Sequence, residues 1–109
     1  MKEQMTYHVA VQRQERVKRI VQEIGLGQIV KEKYTRYNIG EAGRWICITD
    51  TGVTIIKSED KVKVITIYVT TQRELVAVFG GTKKVPPFLR KKVDYNQSKY
   101  TEKGKTIWK

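Results

Sequence analysis

Two kinds of polar position could carry chemistry in this chain: basic side chains within apolar helical patterns, and hydroxyl side chains within apolar strands. Arg13 lies within roughly 30° of the centre of an apolar helical stripe, at about 100° per residue. Lys57, Thr66 and Tyr68 stand in runs that are otherwise apolar or β-branched. Such residues could line a cleft in which cations bind phosphate and hydroxyls donate hydrogen bonds. The same pattern is also typical of an arginine that extends past the core edge and of a half-buried sheet face in contact with solvent.

Several other kinds of site are excluded by residue type. With 1 cysteine and 1 histidine, Cys47 and His8, the chain can form neither an internal disulfide nor a His/Cys metal cluster. The glycines form neither a P-loop nor a dinucleotide-binding fingerprint, and no carboxylates are paired at ligand spacing. We therefore expect no metal and no cofactor. Cys47, in the run RWICIT, is expected to be a buried small hydrophobic residue rather than a nucleophile.

Charge is the most informative total of the chain. Its 22 Lys and Arg residues and 11 Asp and Glu residues give a net charge of +11. A positive field of this size favours association with polyanions and supports salt-sensitive phosphate binding. Nucleic acid is therefore the expected partner, and the alternative is a chain that is basic without such a role.

The sequence also indicates a location. It has neither a long segment that pairs an apolar face with a basic one nor the ~18 consecutive apolar residues of a spanning helix, so we expect no membrane partner. The N-terminus lacks the apolar segment of a secretory signal, and a single cysteine suits a reducing compartment. We expect a cytoplasmic protein.

The apolar periodicity predicts an α+β fold. One stripe at helical spacing predicts a helix over about residues 6–24: Val17, Ile20, Val21 and Ile24. Runs rich in Val, Ile, Thr, Tyr and Trp predict four strands, at about residues 28–37, 44–49, 53–58 and 61–70. Because the last three are joined by short connections, we expect an antiparallel sheet with the helix packed on one face.

A short helix is predicted over residues 71–79, with Thr71 as N-cap and Glu74 as its partner in a capping box, and a fifth strand is the alternative. The composition changes after Gly81: residues 82–109 hold nine Lys or Arg and two acidic residues, a net +7. We therefore expect a compact domain over residues 1–81 and a basic C-terminal extension, ordered only in part, over residues 82–109.

The extension supplies candidate nucleic-acid contacts of two kinds. Its basic side chains are suited to phosphate, and its aromatic side chains Tyr95, Tyr100 and Trp108 are suited to stacking on bases. The basic candidates are Lys83, Lys84, Arg90, Lys91 and Lys92.

Three segments carry a resemblance to a known group of proteins: YHVAVQRQERV (7–17), ICITDTGVTII (46–56) and KVITIYV (63–69). A helix with His and Arg near its start, followed by a four-stranded meander, resembles small RelE-like toxins. More broadly it is similar to the barnase–RelE–colicin group of metal-free ribonucleases and to small phage-type proteins. The resemblance covers about residues 6–79 and is one of topology.

That resemblance implies RNA, rather than DNA, as substrate and an antitoxin or other acidic protein as a further partner. The 2′-hydroxyl would attack the adjacent phosphate while a base takes its proton and cations stabilise the developing charge. Arg13 and Arg16 would bind phosphate, and Lys57 would neutralise transition-state charge. Thr66 or Tyr68 would position or protonate the leaving group. His8 is the candidate base, although it lies almost opposite the apolar stripe if the helix extends that far.

Three functions remain open from the sequence. The first is a metal-independent endoribonuclease, which requires Arg13, Arg16, Lys57 and Tyr68 to converge on one cleft. The second is a non-catalytic phage-type protein that binds nucleic acid through the extension. The third is an interaction protein whose basic surface and open sheet edges meet an acidic partner.

Overall fold

The computed structural model describes residues 7–36, 38–102 and 105–106, and the side chains of residues 14–36 and 38–100. An N-terminal helix is followed by four strands and two further helices, which confirms the α+β class. The helices are α1 (Tyr7–Glu23), α2 (Gln72–Phe79) and α3 (Pro87–Tyr100), with a 3₁₀ turn at Thr82–Lys84. The strands are β1 (Ile29–Thr35), β2 (Arg44–Thr49), β3 (Val53–Ser58) and β4 (Val64–Val69), followed by a short hairpin of β5 (Thr101–Glu102) and β6 (Lys105–Thr106).

The four long strands form one antiparallel sheet in the order β1-β2-β3-β4. Alternation along the strands gives each face its own apolar cluster. One cluster joins Ile20 of α1 to Cys47, Ile55 and Ile67. The other joins Ile48 to buried side chains of α2 and α3. The sheet thus has helices on both faces, whereas the sequence predicted one helix on one face.

Helix α2 is fixed at both ends by the residues around it. The Thr71 hydroxyl accepts a hydrogen bond from the Glu74 backbone N–H at 3.1 Å, which confirms the N-cap and the helix over the fifth strand. Gly80 ends the helix in the left-handed region at φ 89°, and its N–H donates to the Val76 carbonyl. The Glu74 side chain does not complete the capping box but bonds to groups on the sheet.

Helix α3 lies where a basic extension was expected, and over residues 82–100 that expectation is not confirmed. Leu89, Val93, Asn96 and Tyr100 recur at helical spacing and are all buried. Pro87 is the first residue of α3, where a missing N–H breaks no helical hydrogen bond. Residues 87–100 are therefore folded onto the sheet, and the basic side chains Arg90, Lys91, Lys92 and Lys99 are held on a helix.

Asn96 joins α3 to the turn between β2 and β3. Its side-chain amide donates to the carbonyls of Thr51 at 2.9 Å and Gly52 at 3.4 Å. Gly52 has φ 83°, and a Cβ there would come within 2.7 Å of the Asn96 amide nitrogen. The turn therefore needs glycine both for its backbone angle and for the close approach of the helix.

Glu59 ties together the two loops at one end of the sheet. Its carboxylate accepts hydrogen bonds from the Tyr34 hydroxyl at 2.7 Å and the Gly43 N–H at 3.3 Å, and Arg36 lies 3.4 Å away. The Tyr34 hydrogen bond, followed by the Gly43 N–H, holds the pKa of Glu59 below its ordinary value.

No helix in the described part of the chain is long and apolar enough to cross a membrane.

Candidate nucleic-acid interface

The outward side of α3 carries aromatic and basic side chains in alternation. Phe88, Lys91, Lys92, Tyr95 and Lys99 fall within an arc of roughly 100° at about 100° per residue. All five are exposed, and Phe88 and Tyr95 are 54% and 61% exposed. We call these five residues the α3 stripe. Contiguous exposed apolar groups rimmed by charged residues, unlike single ones, mark interaction surfaces.

Packing of the opposite side fixes which way the stripe faces. Leu89 and Val93 are fully buried against the second apolar cluster. The Gln97 amide donates to the Thr70 carbonyl at 2.9 Å, and the Gln72 amide donates to Asp94 at 2.8 Å. These contacts set the rotation of α3 about its axis, so the rings of the stripe are presented without a conformational change.

A shallow, open depression of about 520 Å³ is lined by Phe88, Lys91, Lys92 and Tyr95. Its walls are two aromatic side chains, and its charges are two ammonium groups. A nucleobase could enter between the rings, and the lysines could meet the phosphates on either side.

Lys99 stands between two tyrosines at the other end of the stripe. Its ammonium nitrogen lies 5.8 Å from the ring centroid of Tyr95 and 5.5 Å from that of Tyr100. Charge interaction with Tyr100, then with Tyr95, raises the pKa of Lys99, so it stays charged at neutral pH.

Beside Tyr95 is a smaller polar pocket of about 150 Å³, at the junction of α1, α3 and the β2–β3 turn. Glu23 is its one carboxylate among the described lining residues. The Tyr100 hydroxyl donates to Glu23 Oε1 at 2.9 Å, and Arg19 Nε lies 3.2 Å from Oε2. The Tyr100 hydrogen bond, and then the charge of Arg19, lower the pKa of Glu23. Burial, with the bond to Glu23, raises the pKa of Tyr100.

Other basic candidates from the sequence lie elsewhere. Arg90 is exposed but falls about 160° from Phe88 around α3, so it is outside the stripe. Lys83 and Lys84 are exposed in the 3₁₀ turn before α3. Trp108 is outside the described residues. The stripe therefore includes Lys91 and Lys92 of the predicted set.

Three of the residues that the sequence assigned to a cleft, Arg16, Thr66 and Tyr68, make side-chain hydrogen bonds near β4. An Arg16 guanidinium nitrogen donates to the Thr66 hydroxyl at 3.2 Å. The Tyr68 hydroxyl donates to Glu74 Oε2 at 2.6 Å, and the Thr54 hydroxyl donates to Oε1 at 2.7 Å. Thr66 and Tyr68 are two residues apart on β4, so these two hydrogen-bonded groups are neighbours along one strand, and we call them together the polar cluster near β4.

Lys57 does not join that cluster. Thr66 pairs with Ile56 across the sheet, and Lys57 is the next residue of β3 and pairs with Trp45. Successive residues of a strand point to opposite faces, so Lys57 and Tyr68 are on opposite faces of the sheet. His8 and Arg13 belong to α1, but their side chains are outside the described part of the structure.

Sequence reasoning named Tyr95 as a stacking residue but missed Glu74, Glu23, Phe88 and Lys99 as members of these sites. Glu74 had been assigned to the capping box, and its contact with Tyr68 of β4 has no signal in the local sequence. The stripe had a readable signal, because 88, 92, 95 and 99 repeat at helical spacing. That signal depends on reading residues 87–100 as a helix.

The described residues contain neither an activated cysteine nor a grouping of metal ligands. Cys47 is buried, and burial raises the pKa of its thiol, in keeping with a core side chain. Among the described residues, no three His, Cys, Asp or Glu side chains are grouped so that they could hold a metal ion.

Compared with protein-family models, with curated proteins and with solved structures, the chain matches none.

Proposed function

We propose that this protein binds single-stranded nucleic acid, RNA in preference to DNA, through the α3 stripe. The observation that carries the proposal is the alternation of two exposed aromatic rings with three lysines on one rigid helical face. The net charge of +11 supports a polyanionic partner. The resemblance to RelE-like toxins favours RNA.

The spacing of the rings suits a single strand. Tyr95 follows Phe88 by seven positions in α3, which is a rise of about 10 Å along the helix axis. A stacked strand covers that distance in about three nucleotide steps, at ~3.4 Å per nucleotide. Exposed rings can stack on bases only where the bases are unpaired. The phosphates of a duplex would therefore contact the lysines, and its bases would not contact the rings.

Binding by three lysines makes a quantitative prediction about salt. For single strands each neutralised phosphate contributes about 0.7 to the slope of log Kd against log salt. Three contacts from Lys91, Lys92 and Lys99 give a slope of about 2. Removal of two of them should reduce the slope by about 1.4.

The test is a fluorescence-anisotropy titration of a labelled, unstructured nine-nucleotide RNA. Phe88→Ala and Tyr95→Ala should each weaken binding about tenfold, because stacking contributes ~1–3 kcal/mol per base. Lys91→Gln with Lys92→Gln should weaken binding and reduce the salt slope.

The matched control is Lys18→Gln with Lys63→Gln, which removes the same charge from exposed positions outside the stripe. If both lysine pairs weaken binding equally and neither aromatic variant has an effect, binding is a property of overall charge, and the proposed interface is wrong.

A second candidate function is RNA cleavage at the polar cluster near β4. The observation that favours it is the 2.6 Å hydrogen bond from Tyr68 to Glu74 in the cluster that also holds Arg16 and Thr66. Arg16 would bind the phosphate, and Glu74 would accept the proton of the attacking 2′-hydroxyl. The 2′ oxygen would bond to phosphorus as the 5′ oxygen leaves, with Tyr68 donating the proton that oxygen requires.

Incubation of the protein with total RNA and tRNA in EDTA tests this second function on a denaturing gel. Discrete fragments that disappear in Tyr68→Phe and Arg16→Ala would support cleavage at the cluster. RNA that stays intact with the wild-type protein would contradict it and would leave binding by the α3 stripe unaffected.

A further inference from the structure

The polar pocket beside Tyr95 combines a fixed carboxylate with flanking ammonium groups. Tyr100 and Arg19 each occupy one acceptor position of the Glu23 carboxylate. A carboxylate has about four such positions, so each oxygen retains one for another donor. The side chain of Glu23 is 41% exposed. Two partners thus hold the carboxylate in place, and the Glu23 side chain remains partly exposed in the pocket lining.

The surroundings of Glu23 determine which ligand the pocket can take. Lys92 and Lys99 line it, together with the exposed ring of Tyr95. A phosphate group placed here would meet the negative charge of Glu23. A flat group could stack on Tyr95, donate two hydrogen bonds to the Glu23 carboxylate and accept one from Lys92 or Lys99. Such a group would give each of these lining side chains a partner.

Among the four bases of RNA, guanine has this pattern on its Watson–Crick edge. Its N1–H and N2–H₂ are adjacent donors that fit the two oxygens of a carboxylate, and its O6 is an acceptor beside them. Adenine and cytosine present one amino group beside a ring nitrogen that accepts, and this nitrogen would face the carboxylate. Uracil has one donor between two carbonyl oxygens.

We propose that this pocket recognises a guanine base of the bound single strand, with Glu23 as the specificity-determining residue. The base stacks on Tyr95, its N1–H and N2–H₂ donate to the Glu23 carboxylate, and O6 accepts from Lys92 or Lys99. The lowered pKa of Glu23 keeps the carboxylate ionised at neutral pH. The inference rests on the proposed function, because it assigns a base preference to the strand that the α3 stripe binds.

The experiment compares three nine-nucleotide RNAs that differ only at the central base of a uridine run: guanine, inosine or adenine. Inosine lacks the 2-amino group and keeps N1–H and O6. Wild-type protein should bind the guanine RNA about tenfold more tightly than the adenine RNA, with inosine about threefold weaker than guanine. This part uses the unaltered chain and does not depend on the folding of any variant.

Glu23→Gln tests the residue itself. An amide of the same shape presents one oxygen and one NH₂ group, so it cannot accept both donors, and the guanine-to-adenine ratio should fall to within about twofold. Glu15→Gln is the matched control: Glu15 is an exposed glutamate on the same helix, and its variant should keep the tenfold ratio. Urea unfolding of both variants establishes that they are folded.

The outcomes separate this inference from the proposed function. Equal binding of the three RNAs, with the Phe88→Ala effect retained, would overturn guanine recognition and leave strand binding in place. Equal guanine and inosine affinities, or a ratio that survives Glu23→Gln, would also overturn it. Failure of all three RNAs to bind would overturn both.

Discussion

Replacement of Leu89 by alanine should destabilise the protein by about 3 kcal/mol. Leu89 is fully buried in the cluster that joins α3 to Ile48 of the sheet and Leu75 of α2. Substitutions of this kind in packed cores cost about 2–5 kcal/mol through lost transfer free energy and the remaining cavity. Phe88 is the adjacent residue and is 54% exposed, so Phe88→Ala should change the free energy of unfolding by about 0.5 kcal/mol or less.

Urea unfolding followed by circular dichroism measures both variants. With a slope of about 1.5 kcal/mol/M, the loss at Leu89 corresponds to a midpoint about 2 M lower. The two neighbours thus report on packing and on exposure at one place in the chain. If Leu89→Ala unfolds at the same urea concentration as Phe88→Ala, α3 is not packed on the sheet, and the rigid presentation of its outward face is refuted.

Three further predictions concern the polar contacts of the fold. In a double-mutant cycle, Tyr68→Phe and Glu74→Ala should show a coupling of about 1–2 kcal/mol, because a 2.6 Å hydrogen bond to a carboxylate joins them. Gly43→Ala should destabilise by about 1–3 kcal/mol, because the new Cβ would overlap the Tyr34 phenol. Tyr34→Phe should make the free energy of unfolding less sensitive to a fall in pH. The lowered pKa of Glu59 contributes stability that is present above its ordinary value of 4.5 and is lost as the pH falls through the folded value.

Each of these has an outcome that contradicts it. A coupling below about 0.3 kcal/mol, the usual additivity of independent sites, would show that Tyr68 and Glu74 do not interact. A Gly43→Ala variant as stable as the wild type would show that Tyr34 does not pack over Gly43. Unchanged acid sensitivity in Tyr34→Phe, measured by urea unfolding between about pH 3 and 6, would show that Glu59 is not held by that hydroxyl.

The first half of the chain could be predicted well because its patterns are simple. Strands at residues 44–49 and 53–58 were placed at their observed bounds, since each is a short apolar run between turn residues. Helix α1 was predicted over residues 6–24 and spans Tyr7–Glu23, because Val17, Ile20 and Ile24 of its apolar stripe pack on the sheet. Val21, the fourth residue of that stripe, is 45% exposed. The prediction of α2 as a helix is confirmed, and the Thr71 side chain caps it as the sequence indicated.

Helix α3 could not be recognised by the same criterion. Its buried side has only two aliphatic residues, Leu89 and Val93, and Asn96 and Tyr100 complete it. Asn96 is buried because its amide meets the carbonyls of a turn that is distant in sequence. The apolar periodicity of the segment gives no sign of that long-range contact. The segment was therefore predicted to be a basic extension that is ordered only in part.

The candidate sites show the same limit. Lys91 and Lys92 were identified from charge alone, but their relation to Phe88 and Tyr95 depends on the phase of α3. Lys57 was grouped with Tyr68 because both interrupt apolar strands. The face of the sheet on which each side chain lies depends on how the strands pair. The composition of each strand does not reveal that pairing.

The measurement that tests nucleic-acid binding by α3 most directly is a ¹⁵N–¹H NMR titration of the protein with an unstructured RNA. Binding through the α3 stripe predicts that the largest shift changes fall on the amides of residues 88–99, with saturation at the Kd found by anisotropy. Changes concentrated instead around Arg16, Thr66 and Tyr68 would place the RNA at the other cluster. An unchanged spectrum at saturating RNA would contradict binding altogether.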